Sequence, residues 1–204
     1  MVNNTPHKDK MKLSLKEKIL KYLIENKSPI SIMQISHQLN ADYKNTFRAI
    51  DNLFPIIKNK IGNTNLIEIK LIPNQEIYLV EDKRTEQFLQ ENKHLGLIKK
   101  DIESITYPFV IVLIFGSYTK KNQTKKSDID ICIISDNKSK TKELISKLKL
   151  LPLKLDFQDF NVKEFESMLE TKKENIAKEI IKNNVILYGA DNYYNLISKW
   201  TKKE

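Results

Sequence analysis

The sequence predicts two domains of different character: an α+β N-terminal half, and an α/β C-terminal half with a small mixed sheet flanked by helices. Three observations predict this. Apolar residues recur at three-to-four spacing through residues 14–53, then give way to two extended stretches joined by Gly62-Asn63-Thr64-Asn65. From residue 109 onward, strand-length apolar runs alternate with helical patterns, which is the ordering of an α/β sheet. Between the two lies a helical stretch without strand patterning. The expected boundaries are 1–82, a helical connector over 83–105, and 106–204.

The elements follow in order. Leu15, Ile19, Leu20, Leu23 and Ile24 form one apolar stripe, so a helix is expected between Ser14 and Lys27, ended by Pro29. Ser31 with Gln34 three residues later is a capping-box pair, opening a short helix with Ile35 and Leu39 inward. A third helix is expected from Asp42 to Leu53, with Phe47, Ile50 and Leu53 inward and Tyr43, Lys44, Asn45, Arg48 and Asn52 outward. Ile56–Ile61 and Leu66–Leu71 read as a hairpin, because Gly and Asn tolerate the positive φ of its turn. Ile77–Val80 reads as a third strand. Residues 81–105 read as one or two helices, with Gly96 as a break. The second half then reads strand 109–115, strand 129–134, helix 138–150, strand 153–158, helices 162–170 and 172–183, strand 185–188 and a terminal helix 191–201.

Composition excludes several classes. No apolar run approaches the roughly 20 residues that span a bilayer. Residues 1–12 are polar and charged without an apolar signal region, and the expectation is a cytoplasmic protein with no membrane partner. Cys132 is the only cysteine, so an internal disulfide framework is excluded, and it is expected as a small packing residue. His7, His37 and His94 lack the spacing of zinc ligands. The net charge of +9 suits a polyanionic partner, although solvated surface lysine accounts for it equally well.

One constellation carries chemistry. Gly116-Ser117 ends an apolar run in a chain with only four glycines, and ten residues separate Ser117 from Asp128-Ile129-Asp130. Alternation along a strand puts Asp128 and Asp130 on one face, with Cα atoms about 6.6 Å apart. Two carboxylates held side by side repel, and a bridging dication removes that cost; hard oxygen donors suit Mg2+ or Mn2+. Gly116 leaves its amide uncovered, Ser117 adds a hydroxyl, and Lys120, Lys121, Lys125 and Lys126 follow in the loop, where ammonium groups can neutralise a triphosphate. Tyr118 suits either stacking on a base or packing against the sheet.

Phe115-Gly116-Ser117-Tyr118 and Ser127-Asp128-Ile129-Asp130, at this spacing, resemble the signature of the polymerase β-like nucleotidyltransferases, in particular the minimal, antitoxin-type branch. The likeness covers roughly residues 95–195, and Leu187-Tyr188-Gly189 is similar to that family's closing strand and turn. The family's loop usually carries a glycine where this chain has Lys121, so charge is kept and the glycine is lost. The resemblance implies a nucleotidyltransferase fold and Mg2+ (or Mn2+) held by Asp128, Asp130 and a third carboxylate. Asp156 in Leu153-Lys154-Leu155-Asp156-Phe157 is the natural candidate, with Asp159 as the fallback. It further implies ATP or another NTP gripped by Gly116, Ser117, Lys120 and Ser127, and transfer of NMP, foremost AMP, to an acceptor hydroxyl. A toxin protein is one such acceptor, and an RNA end is another.

The N-terminal half resembles a winged helix-turn-helix domain. In that family the third helix enters the DNA major groove and the hairpin touches phosphates. The resemblance implies DNA contacts by Tyr43, Lys44, Asn45 and Arg48, and by Lys58, Lys60, Asn63 and Asn65 of the wing, serving autoregulation. A different class stays open beside the transferase: a DNA-binding regulator whose second domain senses nucleotide or dimerises without catalysis. Acceptor, base preference and oligomeric state, a homodimer included, are not legible.

Overall fold

A computed structural model describes residues 13–62, 64–104, 107, 109–124 and 127–201, except the side chains of Ile61 and Thr201. His7, Asn63, Ile105, Lys125 and Lys126 lie outside the described residues.

The first half runs α1 (Leu15–Asn26), β1 (Ile30–Ser31), α2 (Ile32–Gln38), α3 (Tyr43–Asp51), β2 (Ile56–Ile61) and β3 (Thr64–Ile69). Each helix start is capped by a side-chain oxygen that satisfies an otherwise unpaired backbone N–H. Ser14 and Glu17 close a reciprocal box on α1, Ser31 and Gln34 close another on α2, and Asp42 accepts from Asn45 N–H on α3. The hairpin is tighter than the sequence suggests: Ile61 pairs with Thr64, leaving a two-residue turn in which Gly62 has φ +58°. β3 is the centre of a three-stranded sheet ordered β1-β3-β2.

Two expectations are corrected here. Phe47 does not face inward: it is 42% exposed, and Thr46, fully buried, holds the inward position with Ile50. The Thr46 hydroxyl donates to the Asp42 carbonyl one turn back, so its polar atom is satisfied without a water. Ile77–Val80 is not a strand. It lies in α4 (Gln75–Glu91), capped by Asn74, whose side chain accepts from Glu76 and Ile77 N–H. Ile77, Val80, Glu81, Arg84, Thr85 and Phe88 recur along its buried face at helical spacing. The connector therefore starts at Gln75, across the expected boundary at 82/83. A 3-10 turn (Lys93–Leu95) follows, and α5 (Gly96–Glu103) begins at Gly96.

The second half runs β4 (Ile111–Phe115), β5 (Ile129–Ile134), α6 (Lys138–Leu148), β6 (Leu155–Phe160), α7 (Val162–Glu170), α8 (Ile176–Lys182), β7 (Val185–Tyr188) and α9 (Ala190–Thr201). Its sheet is ordered β6-β5-β4-β7 and is mixed: β5 and β6 are parallel, joined through α6, while β4 is antiparallel to both β5 and β7. Alternation splits the strand residues between two cores. Val112, Ile114, Ile129, Ile131 and Ile133 pack with α5 and α6 through Ile98, Ile102, Leu144 and Leu148. Ile111, Leu113, Phe115, Cys132 and Ile134 pack on the other face with Phe165, Ile180, Tyr193 and Tyr194. Cys132 is fully buried there, as its expected packing role requires. No helix among the described residues is long and apolar enough to cross a membrane.

α4 ties the halves together, since α1 packs on one side of it and β7 and α9 on the other. Its centre is polar. The Glu81 carboxylate (2% exposed) accepts from the Arg84 guanidinium (9% exposed) and from the Tyr194 hydroxyl at 2.6 Å. Arg84 also donates to the Asn184 carbonyl at 3.0 Å, and Thr85 to the Ile186 carbonyl at 2.7 Å. Burial and Glu81 push the Tyr194 hydroxyl well above the usual phenol range, so it stays a donor at physiological pH. Breaking a buried pair strands the surviving charge. Glu81→Ala is accordingly expected to lower unfolding stability by about 3–5 kcal/mol. Urea denaturation measures this, and a loss below about 1 kcal/mol, the range of an exposed pair, contradicts the assignment.

Candidate active site

β4 ends at Phe115, and the chain must turn sharply to clear β5, whose Asp130 is the register partner of Phe115. Gly116 makes that turn at φ +71°, a left-handed conformation that disfavours side chains. Space imposes the same choice: a Cβ on Gly116 would lie 2.0 Å from Asp130 Oδ2. The close approach sets the next amide beside the Asp130 carboxylate, where the Ser117 N–H favours the ionised form.

The loop beyond is one tight turn rather than the start of a helix. Lys120 N–H donates to the Gly116 carbonyl at 3.3 Å and Asn122 N–H to the Ser117 carbonyl at 3.2 Å. The Thr119 hydroxyl bonds the Gly116 carbonyl at 2.9 Å and reaches the Asn183 carbonyl at 3.4 Å. Lys121 has φ +55°, so the position where the resembling family carries glycine keeps the glycine conformation despite its side chain.

On the sheet, Asp130 and Asp156 are register partners on neighbouring parallel strands. Their backbones are therefore about 4.8 Å apart with both side chains on one face. Asp128 joins them from two residues before Asp130. The electrostatics record this convergence: the Asp130 carboxyl is pushed above the ordinary carboxylate range, first by burial, then by Asp156, with lesser contributions from Asp128 and Glu179. The Ser117 N–H opposes the shift. Asp159 is aligned with Ile133, on the face opposite Asp156, so the structure brings Asp156 and not the fallback to Asp130.

Among the described residues no three Asp, Glu, His or Cys side chains already enclose a metal-sized point. The donor set nevertheless fits a hard dication, because these are oxygen ligands whose mutual repulsion such an ion would relieve. The other expected residues are placed differently. The Lys120 ammonium bonds Glu179 of α8 at 2.6 Å. Ser127 closes the loop's exit, its hydroxyl accepting from Thr124 N–H at 2.9 Å. Tyr118 packs against the core with its ring 6.0 Å from that of His94. Sequence reasoning missed Glu179, Thr119 and Asn183. Only the capping pattern of Asn175, which sets the register of α8, hints at Glu179.

In the N-terminal half, Tyr43, Lys44, Asn45 and Arg48 share the exposed face of α3 with Phe47, whose ring lies 6.5 Å from that of Tyr43. Lys58, Lys60 and Asn65 are exposed on the hairpin, and Lys58 is tied back to Asp51 at 2.6 Å.

Comparison with known proteins places this site in a family. The sequence profile described as "Polymerase beta, Nucleotidyltransferase" matches residues 98–193, from α5 into α9. A protein of Methanocaldococcus jannaschii, provisionally named as the protein adenylyltransferase MJ1547, is 30% identical over 98 residues, spanning 46% of this chain and 70% of that protein. No solved structure matches the chain significantly. The chain belongs to the polymerase β nucleotidyltransferase family, and it is a nucleotidyltransferase.

A carboxyl held above its unfolded value adds stability below that unfolded value and loses it as pH rises through the folded one. At neutral pH the ionised Asp130 is thus a cost to the fold in the absence of a dication. Asp130→Asn is expected to melt higher than wild type at pH 7 in EDTA, with the difference closing as pH falls through the raised value. Scanning calorimetry across pH checks this, and an unchanged or lower melting temperature for the variant at pH 7 contradicts it.

Proposed function

We propose that the chain transfers AMP from ATP to a hydroxyl of a partner protein, and that its N-terminal half is a winged helix-turn-helix domain that binds DNA. The register pairing of Asp130 with Asp156, beside the Gly116–Ser117 bend, is the observation that carries the first part. The relative named as a protein adenylyltransferase supports adenylate and a protein acceptor.

In this reading the acceptor oxygen attacks the α-phosphorus and forms the new P–O bond. The α–β anhydride bond breaks, and pyrophosphate leaves with the electron pair. Asp156, exposed and beside Asp130, takes the hydroxyl proton. Ser117 and the uncovered amide of Gly116 hold phosphate oxygens, and Lys120 exchanges Glu179 for the triphosphate. Magnesium or manganese, when held by Asp128, Asp130 and Asp156, neutralises phosphate charge and makes pyrophosphate a better leaving group. The Lys120–Glu179 pair is half-exposed, so Lys120 can leave Glu179 for the nucleotide at little cost.

The test uses ATP labelled at the α-phosphate with the purified full chain and its neighbouring gene product. Label is expected on protein, and Asp156→Asn should lower the rate by about 100-fold or more. Label that appears on RNA instead, or a rate indifferent to Asp128→Ala and Asp130→Ala, contradicts the reading.

For the DNA-binding half, three capped helices followed by a hairpin whose central strand also pairs with β1 are the support. Asn45 and Arg48 carry the amide and guanidinium that read base edges, and Lys44, Lys58 and Lys60 suit phosphates. Lys44→Ala with Arg48→Ala is expected to weaken binding to the chain's own upstream DNA by about tenfold or more, read by gel shift. Equal retention of wild type and variant contradicts it.

A further inference from the structure

A cavity of about 500 Å3 lies between the two halves, and Asp128, Asp130 and Asp156 are not among its lining residues. α1 and α4 form one wall, and the loop 118–121 with the α8–β7 junction forms the other. Its size suits a nucleotide-sized ligand. Six cations line it, Lys21, Lys27, Arg84, Lys120, Lys121 and Lys182, against two carboxylates, Glu25 and Glu91.

Two of the cations are deeply placed. Lys27, in left-handed conformation at the end of α1, donates to the carbonyls of Ile181 and Lys182. An ammonium has three N–H donors, and the third finds no acceptor among the described residues. Burial, then the charge of Arg84, push the Lys27 ammonium down to about 8. Arg84 lies on the same wall, held by Glu81 from beneath. The remaining lysines hold exposed partners, such as Lys182 with Glu174 and Lys121 with Glu91, and such pairs exchange at little cost. Phe88 and Tyr118 supply ring surface in the same walls, and Gln87 and Asn183 supply amides.

The geometry points to this cleft as a second binding site, for a nucleotide-class anion: its phosphates on Lys27, Arg84, Lys21, Lys121 and Lys182, its base against Tyr118 and Phe88, while Lys120 at its edge serves the transferase site. This site differs from the transferase site in the source of its positive charge. Here the cations are side chains of the protein, whereas the triphosphate beside Asp128, Asp130 and Asp156 faces carboxylates. Binding here therefore needs no dication. Because Tyr118–Lys121 is the direct continuation of Gly116–Ser117, an occupant of the cleft also braces the bend against α1 and α4.

Calorimetric titration of the full chain with ATP in EDTA tests this, with inorganic pyrophosphate as a second probe. One equivalent of ATP is expected to bind, more tightly than pyrophosphate and more weakly as salt rises. Lys21→Glu with Lys182→Glu, the first half-buried, the second exposed, and both outside the transferase machinery, should weaken binding by about tenfold. Lys21→Gln with Lys182→Gln should give an intermediate loss, which a merely misfolded protein would not. Asp128→Asn with Asp130→Asn should leave the affinity unchanged. No binding in EDTA overturns the proposal, and so does indifference to the charge reversals. Tighter binding in the Asp→Asn variant moves the anion to the transferase site and overturns it as well. Equal affinity for pyrophosphate and ATP removes the base from the site.

Discussion

The structure turns on one close approach: the Gly116 backbone over the Asp130 side chain. Three consequences meet there. Only glycine fits, because both the positive φ and the 2.0 Å Cβ clash exclude anything larger. The Ser117 amide is brought beside the carboxylate and favours its ionised form, against burial and the charges of Asp156 and Asp128. The phosphate-facing bend and the acidic cluster are thereby a single unit rather than two features that happen to be adjacent. The cost is electrostatic: Asp130 is partly buried among like charges, a condition that clusters at functional sites, where a cation or substrate can relieve it.

The rest of the molecule holds that unit in place. β5 and β6 are parallel and in register, so Asp130 and Asp156 cannot slide apart without shifting a whole strand and exposing Ile131 and Ile133. α9 backs the sheet, β7 is its edge strand, and α4 packs on both through Glu81, Arg84 and Tyr194. Arg84 reaches the Asn184 carbonyl, and Asn183 meets the Thr119 hydroxyl. A short path of two hydrogen bonds and one peptide link therefore runs from the buried ion pair between the halves to the loop after Gly116. The N-terminal helices are packed into the same apolar cluster as one face of the sheet, so the two halves share a core.

Where sequence sufficed and where it did not has physical reasons. The strand carrying Asp130, with Asp128 just before it, was legible because Ile129, Ile131 and Ile133 alternate with the acids, and alternation fixes a face. Asp156 was legible as one of two candidates; choosing between it and Asp159 needed the inter-strand register, a non-local property. Ile77-Tyr78-Leu79-Val80 misled because four apolar residues with β-forming side chains fit either period, and only the cap at Asn74 and the later positions to Phe88 decide for helix. Phe47 misled by one position around α3: a small hydrophobic-to-polar exchange, Thr46 inward, is paid by a local hydroxyl bond that no apolar pattern reveals. Lys121 shows the opposite case, in which the glycine is lost and the backbone keeps a left-handed turn. Glu179 and the cleft beside Lys27 join segments far apart in the chain, so no local pattern announces them.

The central claim is that Asp156 and Asp130 face one another closely enough to share charge. Carbon-detected NMR titration of the Asp130 carboxyl, in metal-free wild type and in Asp156→Asn, reads it directly. The account predicts a titration above the ordinary aspartate range in wild type that moves back toward it when the neighbouring charge is removed. An Asp130 that titrates at the same pH in both proteins would mean the two carboxylates do not feel each other, and would contradict the account.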